Sequence, residues 1–313
     1  MYGVGDEIYG DLSGTVTVTA TAGTATTGGA GQADAYVDEA YGIYYGVDGD
    51  LTGTLTVVAT GGTATSDTGS AYAYVEEVYG SNDDIGGDLS GTITATGRGG
   101  VASGGTYASA YIDYVYGVYG TIYGELSGEI TATAIAGTAT ATNGGADAYV
   151  YYANGVEGDV YGISGTVTVY SAAGTATATN GSAEAYQYFP AGVYGNVYGD
   201  LSGSVNVTAL GGTADATNGY AGAYIDYANA VYGNVYGDLT GSATVYAIAG
   251  SATATGGSAD AYVDYPAVIV SVLPSTRSHK RRRWCMYDVY DYDRRRRAGC
   301  VESRCSGASE GEA

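Results

Sequence analysis

Apolar and polar residues alternate along most of this chain. Between positions 193 and 209, Val193, Gly195, Val197, Gly199, Leu201, Gly203, Val205, Val207 and Ala209 share one parity. Tyr194, Asn196, Tyr198, Asp200, Ser202, Ser204, Asn206 and Thr208 share the other. A period of two is the mark of a half-buried β-strand. Val231, Val235, Leu239, Val245 and Ala247 repeat the pattern downstream. Such a run exceeds an ordinary strand, and its glycines predict bends or bulges that divide it. A break at Gly211-Gly212 follows, then a small strand of the kind Thr175-Ala176-Thr177-Ala178-Thr179. Asn143-Gly144, Asn180-Gly181 and Asn218-Gly219 come next and predict tight turns with positive φ. In the last strand, Ala259 to Tyr265, the alanines and Val263 face one way, and the acids and Tyr262 face the other. The reading is all-β, with about four short strands per copy and no helix signal.

The pattern recurs as a tandem repeat. The marker Gly-[Asp/Glu]-[Leu/Ile]-[Ser/Thr]-Gly, reduced to Tyr-Gly-Ile-Ser-Gly in the fifth copy, places its last glycine at Gly14, Gly53, Gly91, Gly128, Gly165, Gly203 and Gly241, spaced by 39, 38, 37, 37, 38 and 38 residues. Gly23, Gly62, Gly100, Gly137, Gly174, Gly212 and Gly250 follow nine residues after each marker. Tyr36, Tyr74, Tyr111, Tyr149, Tyr186, Tyr224 and Tyr262 complete the copies. Two architectures suit seven copies of about 38 residues. In a β-solenoid each copy is one coil, and equivalent residues stack about 4.8 Å apart. Ala and Gly would then line thin walls, and the tyrosines would form an aromatic ladder. The alternative is a seven-bladed β-propeller, favoured by copy number and by the Asn-Gly pairs. Propeller blades want large side chains on both faces, whereas one face here is mostly Thr, Ser, Asn and Asp. The solenoid is the reading adopted, with the repeat domain at 1–274 and a basic, disordered tail at 275–313.

Charge divides the chain the same way. Of 33 acids, 27 lie in residues 1–275, where Arg98 is the one cation, so the repeats carry about −26. The excess keeps a β-rich chain soluble and argues against nucleic acid as a partner for the repeats. The other ten cations lie in the tail, chiefly at 277–283 and Arg294 to Arg297. Cys285, Cys300 and Cys305 are there too, so the repeats hold no thiol. Met1-Tyr2-Gly3 runs straight into a repeat, with no visible signal peptide. The run from Ala267 to Leu273 is too short to span a bilayer as a helix, so no transmembrane segment is expected.

Candidate chemistry lies in rows. Acids stand three residues before the marker glycine at Asp11, Asp50, Asp88, Glu125, Asp200 and Asp238, with Gly162 interrupting. Stacked carboxylates about 5 Å apart repel by about 1 kcal/mol per pair, and a hard cation such as Ca²⁺ would relieve this. This column is the candidate metal site, and calcium the candidate cofactor. Thr15, Thr17, Thr19 and Thr21, with Thr131 and Thr133, form Thr-x-Thr rows. In these short strands they resemble the rows on flat solenoids of hyperactive antifreeze proteins, which implies an ice- or crystal-binding plane. Tyr170, Tyr246 and Ile248 interrupt the rows. Tyrosine, at 35 residues the dominant large side chain, suits carbohydrate or surface contact. Catalysis is not expected: the repeats hold no His, Cys or Lys, and their acids do not converge on one copy. The expected function is a non-enzymatic structural or adhesive repeat protein, extracellular or at the cell surface and able to self-associate. A Ca²⁺- or ice-binding protein is the alternative, and a propeller scaffold for protein interactions the second.

Overall fold

The computed structural model describes residues 1–272 and 300–306. It is all-β, and the copies stack as coils of a parallel β-solenoid. The propeller is therefore excluded: each repeat strand pairs with the equivalent strand of the next copy, not with its own neighbour in sequence. Each coil has three sides, and the long strand on one of them divides in two in four of the seven coils. A seven-residue threonine strand (Thr15–Thr21 in the first coil) is followed by a four-residue short strand (Thr24–Thr27) and a long strand (Ala33–Ile43). Two single-residue bridges then return the chain to the next threonine strand, as at Val47 and Leu51. The glycine-rich run thus bends twice, as its composition predicts, and a coil holds three strands, or the four expected from the sequence where its long strand divides.

The sides of the coil become three sheets of 12, 8 and 7 strands. Inward residues form columns. Leu55, Ile93, Ile130, Val167 and Val205 stack along the threonine sheet. Leu51, Leu89, Leu126, Ile163 and Leu201 stack along the second bridge. All ten are essentially unexposed. The other end of the coil is thinner. There Ala64, Ala102, Ala139, Ala176 and Ala214 of the short strand meet the alanines of the long strand. Small inward side chains let the short sheet lie close against the long one, which explains why Ala recurs at these positions.

Glycine has a second use. A Cβ at Gly137 would stand 2.8 Å from the Gly100 carbonyl carbon of the preceding coil, with the carbonyl oxygen closer still. Gly100, Gly174, Gly212 and Gly250 are in the same position, so this corner closes only on glycine. The Asn-Gly pairs are also corners, not hairpins. None of their residues has positive φ. Their asparagines form a ladder instead: Asn180 Nδ2 donates to Asn143 Oδ1 at 3.1 Å, and Asn218 Nδ2 to Asn180 Oδ1 at 3.1 Å.

The long strand divides in the third coil and again from the fifth onward. In the fifth it becomes Ala183–Gln187 and Pro190–Val193, with Phe189 between them at φ 101°. Tyr227 and Tyr265, its equivalents, are also left-handed, at 54° and 45°. Such backbone costs about 1–3 kcal/mol for a bulky residue. Stacking of Phe189 on Tyr227 at 4.6 Å, and of Tyr227 on Tyr265 at 5.1 Å, holds it in place. Gln187 occupies an inward column otherwise filled by Val150 and Ile225, and its Oε1 is buried without a partner. Gln187→Ile is expected to raise stability by about 1–2 kcal/mol in denaturant unfolding, since it removes that orphan acceptor. The Leu210 carbonyl that Gln187 Nε2 reaches keeps the Ala173 amide at 2.9 Å.

At the far end Cys300–Ser306 lies antiparallel on Ser242–Ile248 and covers that edge of the threonine sheet. The remaining tail, including His279, Cys285 and the arginine runs, lies outside the described residues.

Candidate contact surface

The outward residues follow the same register as the core. On the threonine sheet, Thr17, Thr56, Thr94, Thr131, Thr168, Asn206 and Thr244 occupy one column. Thr15, Thr54, Thr92, Glu129, Thr166, Ser204 and Ser242 occupy the next. Parallel pairing sets about 4.8 Å between coils, and alternation sets about 6.6 Å between columns. The result is a regular lattice of hydroxyls and methyls. Tyr170 and Tyr246 do stand in the third column, beside Thr133 and Thr208, and leave the first two clear. Thr138, Thr175 and Thr213 continue the hydroxyl rows on the short sheet. Between the two sheets runs a shallow groove of ≈ 460 Å³, floored by Gly137, Gly174 and Gly212, with no ionisable residue in its lining.

The long sheet presents the tyrosine ladder. Tyr36, Tyr74, Tyr111, Tyr149, Tyr186, Tyr224 and Tyr262 stack with centroids 4.6–5.2 Å apart and planes within 7°. The spacing is that of the strands, so backbone pairing sets the stack. Acids flank parts of both edges, with Tyr151 and Tyr188 taking their place beside Tyr149 and Tyr186. Asp147 accepts a hydrogen bond from the Tyr107 hydroxyl on one side, and Asp38, Glu76 and Asp113 stand on the other. Burial, with neighbouring rings and carboxylates, pushes the Tyr74 and Tyr262 hydroxyls up to about 12. It pushes Tyr111, Tyr149 and Tyr186 higher still.

A second aromatic group is not legible from the alternation. Tyr41, Tyr79 and Tyr116 stack at 4.9 and 5.0 Å and are almost wholly buried. The strand steps out of alternation between Val37 and Ala40, both inward, and this turns Tyr41 beneath Tyr44 and Glu77. The column ends at Asn154, whose amide donates to Glu157 and whose Oδ1 accepts the Ala191 amide at 3.0 Å.

The candidate cation column is a real column with a backbone role. The Asp11 carboxylate accepts the Asp50 amide at 2.9 Å, Asp50 accepts Asp88 at 2.8 Å, and Asp88 accepts Glu125 at 2.7 Å. After the gap at Gly162, Asp200 accepts Asp238 at 2.8 Å. Each of these aspartates hydrogen-bonds the next coil, at a corner where strand pairing is down to single bridges. Added NaCl is expected to raise the melting temperature by screening the stacked charges. Ca²⁺ at matched ionic strength should do no more than that. A calcium-specific rise, lost in EDTA, would instead make Asp11, Asp50, Asp88, Glu125, Asp200 and Asp238 a cation site.

Two acids set a pH dependence. Burial, followed by Glu76 and Glu77, pushes Asp113 up to about 6. Burial pushes Glu157 up to about 7, against the opposing Asn154 hydrogen bond. Both folded values lie above the ordinary carboxylate range. Their contribution is therefore complete below about pH 4 and is lost as pH rises through 6 and 7. Stability at pH 5 should exceed that at pH 8 by about 2 kcal/mol, after discounting for the solvent both groups retain. Thermal melts at the two values check this, and Glu157→Gln should shrink the difference.

No helix among the described residues is long and apolar enough to cross a membrane. No group of three or more His, Cys, Asp or Glu among them is placed to hold a metal ion. Comparison with protein-family models, with curated proteins and with solved structures found no match for this chain.

Proposed function

We propose that this chain is a non-enzymatic structural element working outside the cell, a stiff acidic rod that holds an extended surface against its flat faces. The observation that carries this reading is the lattice on the threonine sheet. Its two clear columns repeat a hydroxyl and a methyl at every position but Glu129, Ser204, Asn206 and Ser242. Repetition of one weak contact on a rigid plane suits a periodic partner, because coils held in register contribute together. An enzyme needs convergent groups in one place, and here the ionisable side chains are spread along the axis. The test is retention of the full chain on insoluble polysaccharide and on mineral powders. Wild type should be retained on at least one. Thr94→Tyr/Thr131→Tyr/Thr168→Tyr, which roughens the plane, should be released. Equal behaviour of both proteins, or no retention at all, would sink the reading.

The same lattice favours one second reading, an ice-binding plane. The antifreeze resemblance of the Thr-x-Thr rows now rests on two columns running along the sheet instead of isolated strands. Growth of a single ice crystal in the protein solution decides it. Faceting lost in the triple tyrosine variant supports ice binding, and unshaped growth in wild type removes it.

A further inference from the structure

A third set of tyrosines stands at the corner after the long strand. Tyr123, Tyr161, Tyr198 and Tyr236 each follow a bridge residue (Ile122, Val160, Val197, Val235) and precede a glycine. Their centroids are 5.8, 5.3 and 5.2 Å apart. They differ from the ladder in two ways. The first three are 52%, 48% and 44% exposed, whereas in the ladder only the end rings Tyr36 and Tyr262 reach such values and the rings between them are half-buried. The planes of the first two pairs are also inclined, by 30° between Tyr123 and Tyr161 and by 39° between Tyr161 and Tyr198, whereas Tyr198 and Tyr236 stack within 10°. In the ladder the rings lie face to face within 7°, so ring edges do not meet. At the corner, a glycine neighbour and open solvent leave the rings free to swing edge to edge, while backbone pairing keeps successive Cα atoms about one coil apart.

We propose that this corner column is a site of oxidative cross-linking, at which a peroxidase-type one-electron oxidant with hydrogen peroxide joins tyrosines of neighbouring coils as dityrosine. Each phenol loses one electron to the oxidant and one proton, giving a phenoxyl radical. Asp84 beside Tyr123 and Asp159 beside Tyr198 are placed to take such protons. Two radicals couple through their Cε carbons. Both rings then rearomatise as the hydrogen on each coupled carbon moves to its oxygen. Two tyrosines and one hydrogen peroxide thus give one dityrosine and two waters. The bond would staple coils 37 or 38 residues apart in sequence, Tyr161 to Tyr198 above all, and lock their register. Such stapling is independent of what the threonine face contacts.

The first coil supplies an internal control. Tyr9 occupies the same position and is 81% exposed, but Asp48 and Gly86 fill the column beside it. Reactivity set by exposure alone would favour Tyr9, whereas coupling set by column geometry favours Tyr161 and Tyr198.

The full chain is treated at low concentration with peroxidase and limiting hydrogen peroxide, cleaved at acidic residues, and searched by mass spectrometry for joined peptides lacking two hydrogens. The expected products migrate as monomer on denaturing gels, fluoresce as dityrosine, and join Tyr161 to Tyr198 most abundantly. Tyr161→Phe should abolish that product together with Tyr123–Tyr161. Tyr198→Phe should abolish it and keep Tyr123–Tyr161, with circular dichroism reporting that each variant is folded. Products only between chains, products led by Tyr9, or coupling within the ladder at Tyr111 and Tyr149 would overturn the assignment.

Discussion

Gly137→Ala is expected to destabilise this protein by about 3 kcal/mol or more, at the upper end of what a single methyl costs by overpacking. The added carbon would press on the Gly100 carbonyl group and stand 2.8 Å from the Gly99 carbonyl carbon. Both belong to the backbone of the coil beneath, so no side chain can turn aside. Relief requires lifting one coil off another, which loosens the Ala136, Thr138 and Thr175 amide hydrogen bonds at that corner, each of 2.9–3.0 Å. Gly23→Ala is the matched control. It is the same position in the first coil, where an added Cβ meets nothing within 4 Å. Its cost should stay below about 1 kcal/mol, and urea unfolding of the two variants measures the contrast. Equal effects would mean that the corner glycines recur along the repeat for backbone flexibility, not for close approach.

Leu126→Ala is expected to cost about 3–4 kcal/mol in the same assay. Leu126 is wholly unexposed, bridged to Leu89 below and Ile163 above. Truncation opens a cavity in a column that cannot collapse, because the strand spacing is fixed by hydrogen bonds on both sides. Its amide donates to the Gly162 carbonyl at 2.9 Å, and its own carbonyl takes the Ser164 and Gly165 amides. Coils contact only their neighbours, so the loss weakens two interfaces at the middle of the stack. Thr131→Ala, on the outward lattice of the same coil, should change stability by less than about 0.5 kcal/mol. A small effect of Leu126→Ala would show that the bridge column is not a continuous core.

The inward columns, the ladder of Tyr36 to Tyr262 and the thin alanine wall are all legible in the sequence, because each repeats a side-chain type at one place in a fixed period. Pairing partners are less so. Alternation says which residues share a face, and it says nothing of whether a strand pairs within its own copy or with the next. The Asn-Gly pairs therefore read equally well as hairpin turns. What decides against hairpins is stacking, with Asn143, Asn180 and Asn218 bonding along the axis. The acid column is legible by position, but its hydrogen bonds to the next amide follow from the corner geometry, which no one-dimensional pattern contains. Tyr41, Tyr79 and Tyr116 escape a sequence reading because the step between Val37 and Ala40 breaks the parity that would place them.

The most direct test of the stacked arrangement uses distances along one column of the threonine sheet. The three native cysteines are first replaced by serine. Spin labels at Thr56→Cys, paired in turn with Thr131→Cys, Thr168→Cys and Thr244→Cys, then report separations by dipolar spectroscopy. Two, three and five coil steps predict a linear rise of about 10, 14 and 24 Å, broadened by the label arms. Distances that rise and then fall, as copies arranged around a closed ring would give, would contradict the solenoid and every face built upon it.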